Sequence, residues 1–385
     1  MRRRTAPSPL GPARIKQDEK GKIMNSLQDQ YPQLVIDLNK LRENLAALTG
    51  RCQDLLIEIA PVVKGANALT EVVRVMEEFS PRYLCTSRLD QARRMKAEGI
   101  QTPLMMIRIP GPAEVPEMVA LCDASLNSDL SLLRAINEEA GRQGKTHAVI
   151  LMQDLGDLRE GFWNAEELIQ AALAVENVLP HLHLLGIGTN LSCYGSIKPD
   201  KRNMQGLASL AQEVEEAIGR PLEIVSGGAS TSVYMVLDGT MPYRINHLRL
   251  GEIILNGTSG TGNPDFLHQD VFTLQAQVSE CREKPSHPVG QLGLDAFGKP
   301  RVYQDRGIRR RAIVNVGRVD YGDPEDITPR QAGVEVLGAS SDHTLLDVAE
   351  YPGELKAGDV LEFGISYGAT AFLCSSPSVH VKYIP

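Results

Sequence analysis

At 385 residues, 42% hydrophobic and 23% charged, the chain has the composition of a globular protein of two domains, or of one large domain with an appendage. Its 40 basic and 48 acidic residues give a net charge of −8 and a pI near 5.6, which disfavours a nucleic-acid surface and leaves small molecules as partners. No run of about eighteen apolar residues is present to span a membrane. The six cysteines are scattered without a Cys-x-x-Cys pair, a pattern that fits a reducing cytoplasm and argues against a structural zinc site or a disulfide framework.

Residues 1–30 carry Arg2-Arg3-Arg4, prolines and many charges but no apolar core, so they read as a disordered leader and not a signal peptide, with Met24 as an internal start. Tyr31 to Leu38 is strand-like. Asp37 then caps a helix running through Thr49, with Leu38, Leu41, Leu45 and Leu48 at helical spacing. From Leu56 a strand-then-helix alternation recurs, with strands expected at 57–63, 82–86, 103–108, 122–126, 147–153, 183–188, 222–226 and 246–250. Eight such units predict a (β/α)8 barrel over residues 31–256. After Gly251 short alternating runs rich in Gly, Pro, Val and Thr predict an all-β domain over 257–385, with no amphipathic helix standing out. Gly257 to Gly262 resembles a phosphate loop, but neither a lysine nor a helix follows it, so it reads as an interdomain linker.

In a barrel the functional residues sit at the C-terminal ends of the strands. The first buried run, Leu56 to Val63, ends in Lys64, whose apolar neighbours would lower its pKa and suit it to Schiff-base chemistry. The fifth ends in Asp154 to Gly161 and contains Arg159. The sixth ends in Gly188-Thr189-Asn190-Leu191-Ser192-Cys193-Tyr194-Gly195. The seventh ends in Ser226-Gly227-Gly228-Ala229-Ser230-Thr231-Ser232, and the eighth in Arg249-Leu250-Gly251-Glu252. Small and hydroxyl-bearing residues opening a helix make a phosphate cradle. One lysine, two arginines, an amide and that cradle suit a phosphorylated cofactor held covalently by lysine, namely pyridoxal 5′-phosphate.

These segments resemble the alanine racemase family, through Val62-Val63-Lys64 with Ala66-Asn67-Ala68, Leu151 to Gly161, Gly227 to Ser230, Arg249-Leu250-Gly251 and Ser366-Tyr367. Gly188 to Gly195, Val225 to Gly228, Asn246 to Glu252, Leu294 to Gly298 and Leu337 to His343 look most like its ornithine racemase branch. The likeness runs from about residue 32 to the C-terminus. It implies a pyridoxal phosphate enzyme interconverting L- and D-ornithine, or another basic amino acid such as lysine, in a cytoplasmic homodimer whose β-domains reach across to the partner's site. Lys64 would hold the cofactor and act as base on one face of Cα. Arg159 would contact the cofactor's phenolic oxygen or the substrate carboxylate, and Asn190 the ring. Ser230, the Gly251 backbone and Tyr367 would bind the phosphate, and Arg249 would face the ring nitrogen.

The chain departs from the family at several points. Ala68 and Leu69 stand where a tyrosine follows the lysine, and Met152 replaces a lysine that orients the arginine, leaving Asp154 or Asp157 for that role. The motif that carries the opposite-face tyrosine reads Gly290 to Asp295, so Asp295 is the first candidate for the second acid/base, with Cys193, Tyr194 and Tyr303 behind it. Asp295, Asp342 and Glu252 are the carboxylates available to the second ammonium of ornithine. Two rivals share the scaffold. A metal-assisted D-amino-acid aldolase or dehydratase would need a His-x-Cys pair where Cys374 and His380 lie six residues apart, and a non-catalytic pyridoxal phosphate carrier would resemble the barrel alone. His181 and His183 alternate on a strand and read as surface histidines.

Overall fold

The computed structural model describes residues 30–295 and 297–385. The expected leader, up to residue 29, lies outside the described residues.

Eight parallel strands form one sheet in the order β2-β9-β8-β7-β6-β5-β4-β3. They are β2 (Glu58–Pro61), β3 (Leu84–Thr86), β4 (Leu104–Met106), β5 (Ala124–Asn127), β6 (His147–Met152), β7 (Leu182–Gly188), β8 (Ile224–Ser226) and β9 (His247–Leu250). Each overlaps a segment expected from its apolar run, β5 and β7 extending one residue beyond it. The barrel closes where Val62 bridges Cys85, the Val63 N–H donating to the Cys85 carbonyl at 2.9 Å.

Side chains alternate along each strand between two environments. Ala60, Val62, Cys85, Met105, Ala148, Ile150 and Met152 fill the barrel interior. Ile59, Leu104, Val149 and Leu151 pack outward against the helices. Met152, at the position where a charged orienting residue was sought, is therefore an apolar plug inside the barrel.

The second sheet is built on β10 (Phe272–Pro285), with β11 (Ile308–Val314), β12 (Ile327–Pro329), β13 (Glu335–Ala339), β14 (Thr344–Asp347) and β15 (Val360–Ile365) in the order β12-β15-β10-β11-β14-β13. The strand β1 (Gln33–Asp37), expected with the barrel, joins this sheet instead. It pairs antiparallel with β10 (Gln33 opposite Gln275) and parallel with β16 (His380–Ile384; Gln33 opposite His380). Its alternation identifies a strand, but the choice of sheet is a long-range contact that no local pattern encodes. Asp37 ends β1 and caps the helix Leu38–Gln53, the Lys40 N–H donating to its carboxylate at 3.0 Å.

The second domain is not helix-free. Ser366 caps a seven-residue helix, Tyr367–Leu373, that returns to the barrel mouth.

Candidate active site

Lys64 leaves the barrel directly after the closing bridge and opens a 3-10 turn, Lys64–Ala66. Asn67 and Ala68 follow in left-handed conformations (φ 47° and 49°). Gln91 donates to the Asn67 side-chain oxygen at 3.2 Å, and the Asn67 amide donates to the Cys374 carbonyl at 3.0 Å, so this bend is tied to both domains. The Tyr367 ring lies against Gly65. A Cβ at that glycine would stand 2.5 Å from Tyr367 Cε2, so only glycine admits the ring.

Lys64 lines a cavity at the C-terminal mouth of the barrel. Burial pulls its pKa below the usual lysine value. Among charged neighbours, Glu160 opposes that shift, while Arg159 and Arg249 reinforce it. Arg159, Asn190, Ser230, Arg249, Gly251 and Tyr367 line the same cavity. Seven of the eight residues singled out in the sequence thus converge, and Asp295 does not.

Arg249, 3% exposed, projects inward from β9 and donates to the Ser226 hydroxyl and, at 2.9 Å, to the Thr189 carbonyl. Both acceptors are neutral oxygens, so burial works against its charge. Two residues earlier, His247 points the same way, its Nδ1 2.9 Å from the Ser226 hydroxyl. Burial drives the His247 pKa down to about 3, so this imidazole is neutral.

Ser230 opens the turn after β8, and its hydroxyl oxygen accepts the N–H groups of Gly251 (3.3 Å) and Ile253 (3.2 Å). Its own O–H remains to be given to a ligand. The stretch read as a linker packs over this rim, Thr261 donating to the Thr231 carbonyl at 3.1 Å and Thr258 to Glu252 at 3.2 Å. Two buried polar atoms on the cavity wall, Asn190 Nδ2 and Thr231 Oγ1, lack hydrogen-bond partners among the described residues. Such orphans are rare in a folded interior and mark where a polar ligand completes the structure.

Arg159 is oriented by neither aspartate proposed for it. Asp154 accepts the N–H groups of Gly156 (2.8 Å) and Leu158 (3.2 Å). Asp157, 1% exposed, accepts those of Cys193, Tyr194 and Ile197 at 3.1–3.4 Å and so clamps the loop after β7. The partner of Arg159 is Glu160, through a two-pronged ion pair. Sequence reading missed it because side chains adjacent in sequence normally diverge.

Asp295 lies in the β-domain, where one carboxylate oxygen accepts the N–H groups of Phe297 and Lys299, both at 2.9 Å, and the other accepts Arg301 Nε at 3.0 Å. Those donors hold its carboxyl below the usual range, that of Lys299 contributing most. Tyr303 shares the Asp295 cavity. Tyr194 is exposed to solvent, and Asp342 bonds Ser341 at 2.7 Å in a surface turn. His183 meets Glu223 at 2.5 Å on the outside of the barrel. Cys374 is buried and His380 exposed at the start of β16. No group of three or more His, Cys, Asp or Glu side chains suited to a metal occurs among the described residues.

The barrel, its lysine-bearing closing strand and the β-domain behind it define the fold of the alanine racemases. The alanine racemase of Clostridium difficile 630 matches with a TM-score of 0.72 at 19% identity, covering 92% of this chain and 96% of that one. A family model described as the N-terminal domain of alanine racemase matches residues 36–259, and the chain belongs to the alanine racemase family. Among characterised relatives, the ornithine racemase of Acetoanaerobium sticklandii is 39% identical over 88% of this chain and 96% of its own length. The lysine racemase of Thermotoga maritima is 37% identical over 92% and 99%.

Proposed function

We propose that this protein is a pyridoxal phosphate-dependent amino-acid racemase that inverts a basic amino acid, ornithine or lysine, at Cα. The observation that carries the reading is the open donor set around Lys64. The Ser230 hydroxyl, Asn190 Nδ2 and Thr231 Oγ1 have hydrogen bonds still to make, and the buried Arg249 cation meets only neutral oxygens. Such a set fits a phosphate and a polar aromatic ring. When bound, pyridoxal phosphate supplies an electron sink that acidifies the substrate Cα–H.

Ser230, the Gly251 backbone and Tyr367 hold the phosphate end. Arg249 would face the ring nitrogen, and because a guanidinium does not release its proton at neutral pH it could only donate there. Lys64, its pKa lowered by burial, holds the cofactor and exchanges the proton on one face of Cα.

The side-chain preference is supported by Glu160. An incoming α-carboxylate competes with it for Arg159, and the freed carboxylate then meets the distal ammonium of a diamino acid. Ile107 and Ile109 in the adjoining cleft flank the intervening methylenes. Exposed apolar residues in the β-domain loop, Val289, Leu294 and Val302, support the homodimer, and the free cysteines a cytoplasmic location. No described helix is long and apolar enough to cross a membrane.

The test is a chiral-chromatography panel of L-ornithine, L-lysine, L-arginine, L-alanine and L-serine with pyridoxal phosphate. D-ornithine or D-lysine should form fastest, with loss of at least about 10³-fold in Lys64→Ala. Glu160→Gln should cut the preference for ornithine over alanine by about 100-fold. Failure to invert any of the five, or fastest turnover of alanine, sinks the proposal.

A further inference from the structure

We infer that Cys193 is the acid/base acting on the face of the substrate Cα opposite Lys64. The inference rests on the racemase reading above and deepens it. Inversion requires a proton acceptor on one face and a donor on the other, and the titratable side chains lining the Lys64 cavity can be taken in turn.

Arg159 and Arg249 keep their protons at any working pH. Tyr367 lies on Gly65, beside Lys64, and burial pushes its phenol up to about 12, so it holds its proton. Glu160 is chelated by Arg159, and Glu252 stands at the phosphate cradle, bonded to Thr258. Cys193 remains. Its side chain is exposed and lines the same cavity as Lys64.

Topology sets the two groups against each other. Lys64 follows β2, and Cys193 hangs from the loop after β7, three strands away around the barrel. The loop is fixed: Asp157 takes the N–H groups of Cys193, Tyr194 and Ile197, and a Cβ at Gly195 would stand 2.7 Å from the Asp157 carbonyl oxygen. Independent evidence that a ligand seats here comes from Asn190 and Thr231. Each is 9% exposed, lines this cavity and has an unpartnered polar side-chain atom. Asp295, whose carboxylate is filled by Phe297, Lys299 and Arg301, shares none of these features.

The step balances. For one enantiomer the Cys193 thiolate takes the Cα proton: the C–H bond breaks, an S–H bond forms, and the electron pair stays with the substrate. The Lys64 ammonium then protonates Cα on the other face, an N–H bond breaking as C–H forms. For the other enantiomer the two groups exchange roles, and solvent resets both.

The experiment follows L- and D-ornithine in D2O with the holoenzyme and its Cys193→Ala, Cys193→Ser and Asp295→Asn variants. Both Cys193 variants should lose racemisation by at least about 10³-fold, yet still exchange the Cα proton of one enantiomer, the one Lys64 deprotonates, without inverting it. Asp295→Asn should racemise like the wild type. A second readout needs no turnover. Iodoacetamide should alkylate Cys193 in the protein without added cofactor, and pyridoxal phosphate with ornithine should protect it, leaving Cys281 labelling unchanged. Racemisation by Cys193→Ala within about tenfold of wild type, or loss of exchange from both enantiomers alike, overturns this role alone. A wild type that racemises nothing overturns the function proposed above and this role with it.

Discussion

Two irregular regions of the molecule each hang on an aspartate, and the two aspartates have opposite characters. In the barrel, Asp157 is buried and spends its carboxylate on three backbone N–H groups of a different loop, the one that carries Cys193. In the β-domain, Asp295 serves its own turn, accepting from residues two, four and six positions along the chain. The first is a long-range clamp at the barrel mouth, and the second a local turn-former on a loop with apolar residues facing solvent. Both stand beside glycines in sequence, so residue type and neighbours do not separate them. Burial and the distance to the acceptor's partners do.

The comparison is broken most directly by Asp157→Ala against Asp295→Ala. Removing the first leaves three loop N–H groups without their acceptor, an expected loss of about 4 kcal/mol in urea unfolding together with loss of racemisation. Removing the second should leave the unfolding midpoint close to wild type. Equal effects would mean that the clamp does not differ from the turn.

Acid separates the regions next. His147 is 2.9 Å from Ser125 at the far end of the barrel and is pushed down to about 4 by burial, and His247 is pushed to about 3. Both folded values lie below that of an unfolded histidine, about 6.5. The unfolded chain therefore takes up protons that the barrel refuses, and stability present above pH 6.5 shrinks as the pH falls toward 4. At pH 5.5 the expected loss is about 1.4 kcal/mol per imidazole. Hydrogen exchange at pH 7.5 and 5.5 should show protection falling first in the barrel, and His147→Gln should flatten the dependence. An unchanged slope in that variant would refute the assignment.

The smallest contrast is between glycines. Gly195→Ala drives a Cβ into the Asp157 backbone and should cost about 3 kcal/mol, whereas Gly290, at φ 129° in open space, should cost about 1 kcal/mol through backbone strain alone. Melting temperatures of the two variants decide it.

The sequence made legible whatever has a period or a fixed end. The eight barrel strands stood out as apolar runs, and Lys64, Ser230, Arg249 and Gly251 could be read because strand ends in a barrel share one rim. What could not be read depends on non-periodic backbone. Arg159 pairs with its sequence neighbour Glu160 while Asp157 turns to another loop, and no spacing rule announces either choice. The placement of Asp295 was illegible for the same reason, since Gly-Leu-Asp fits a turn and a catalytic loop equally.

The position of β1 has a consequence for how the molecule is made. Gln33–Asp37 is synthesised before the barrel, yet both of its neighbours, β10 and β16, are synthesised after it, the latter beginning at His380. On the ribosome the barrel strands can pair while β1 still waits with its ladder unfilled, and the emergence of β16 completes the pairing on that side. Interrupted translation would leave a barrel with an open strand edge, a surface that chaperones and proteases can recognise. Quality control of the β-domain is thereby written into a segment that precedes the barrel.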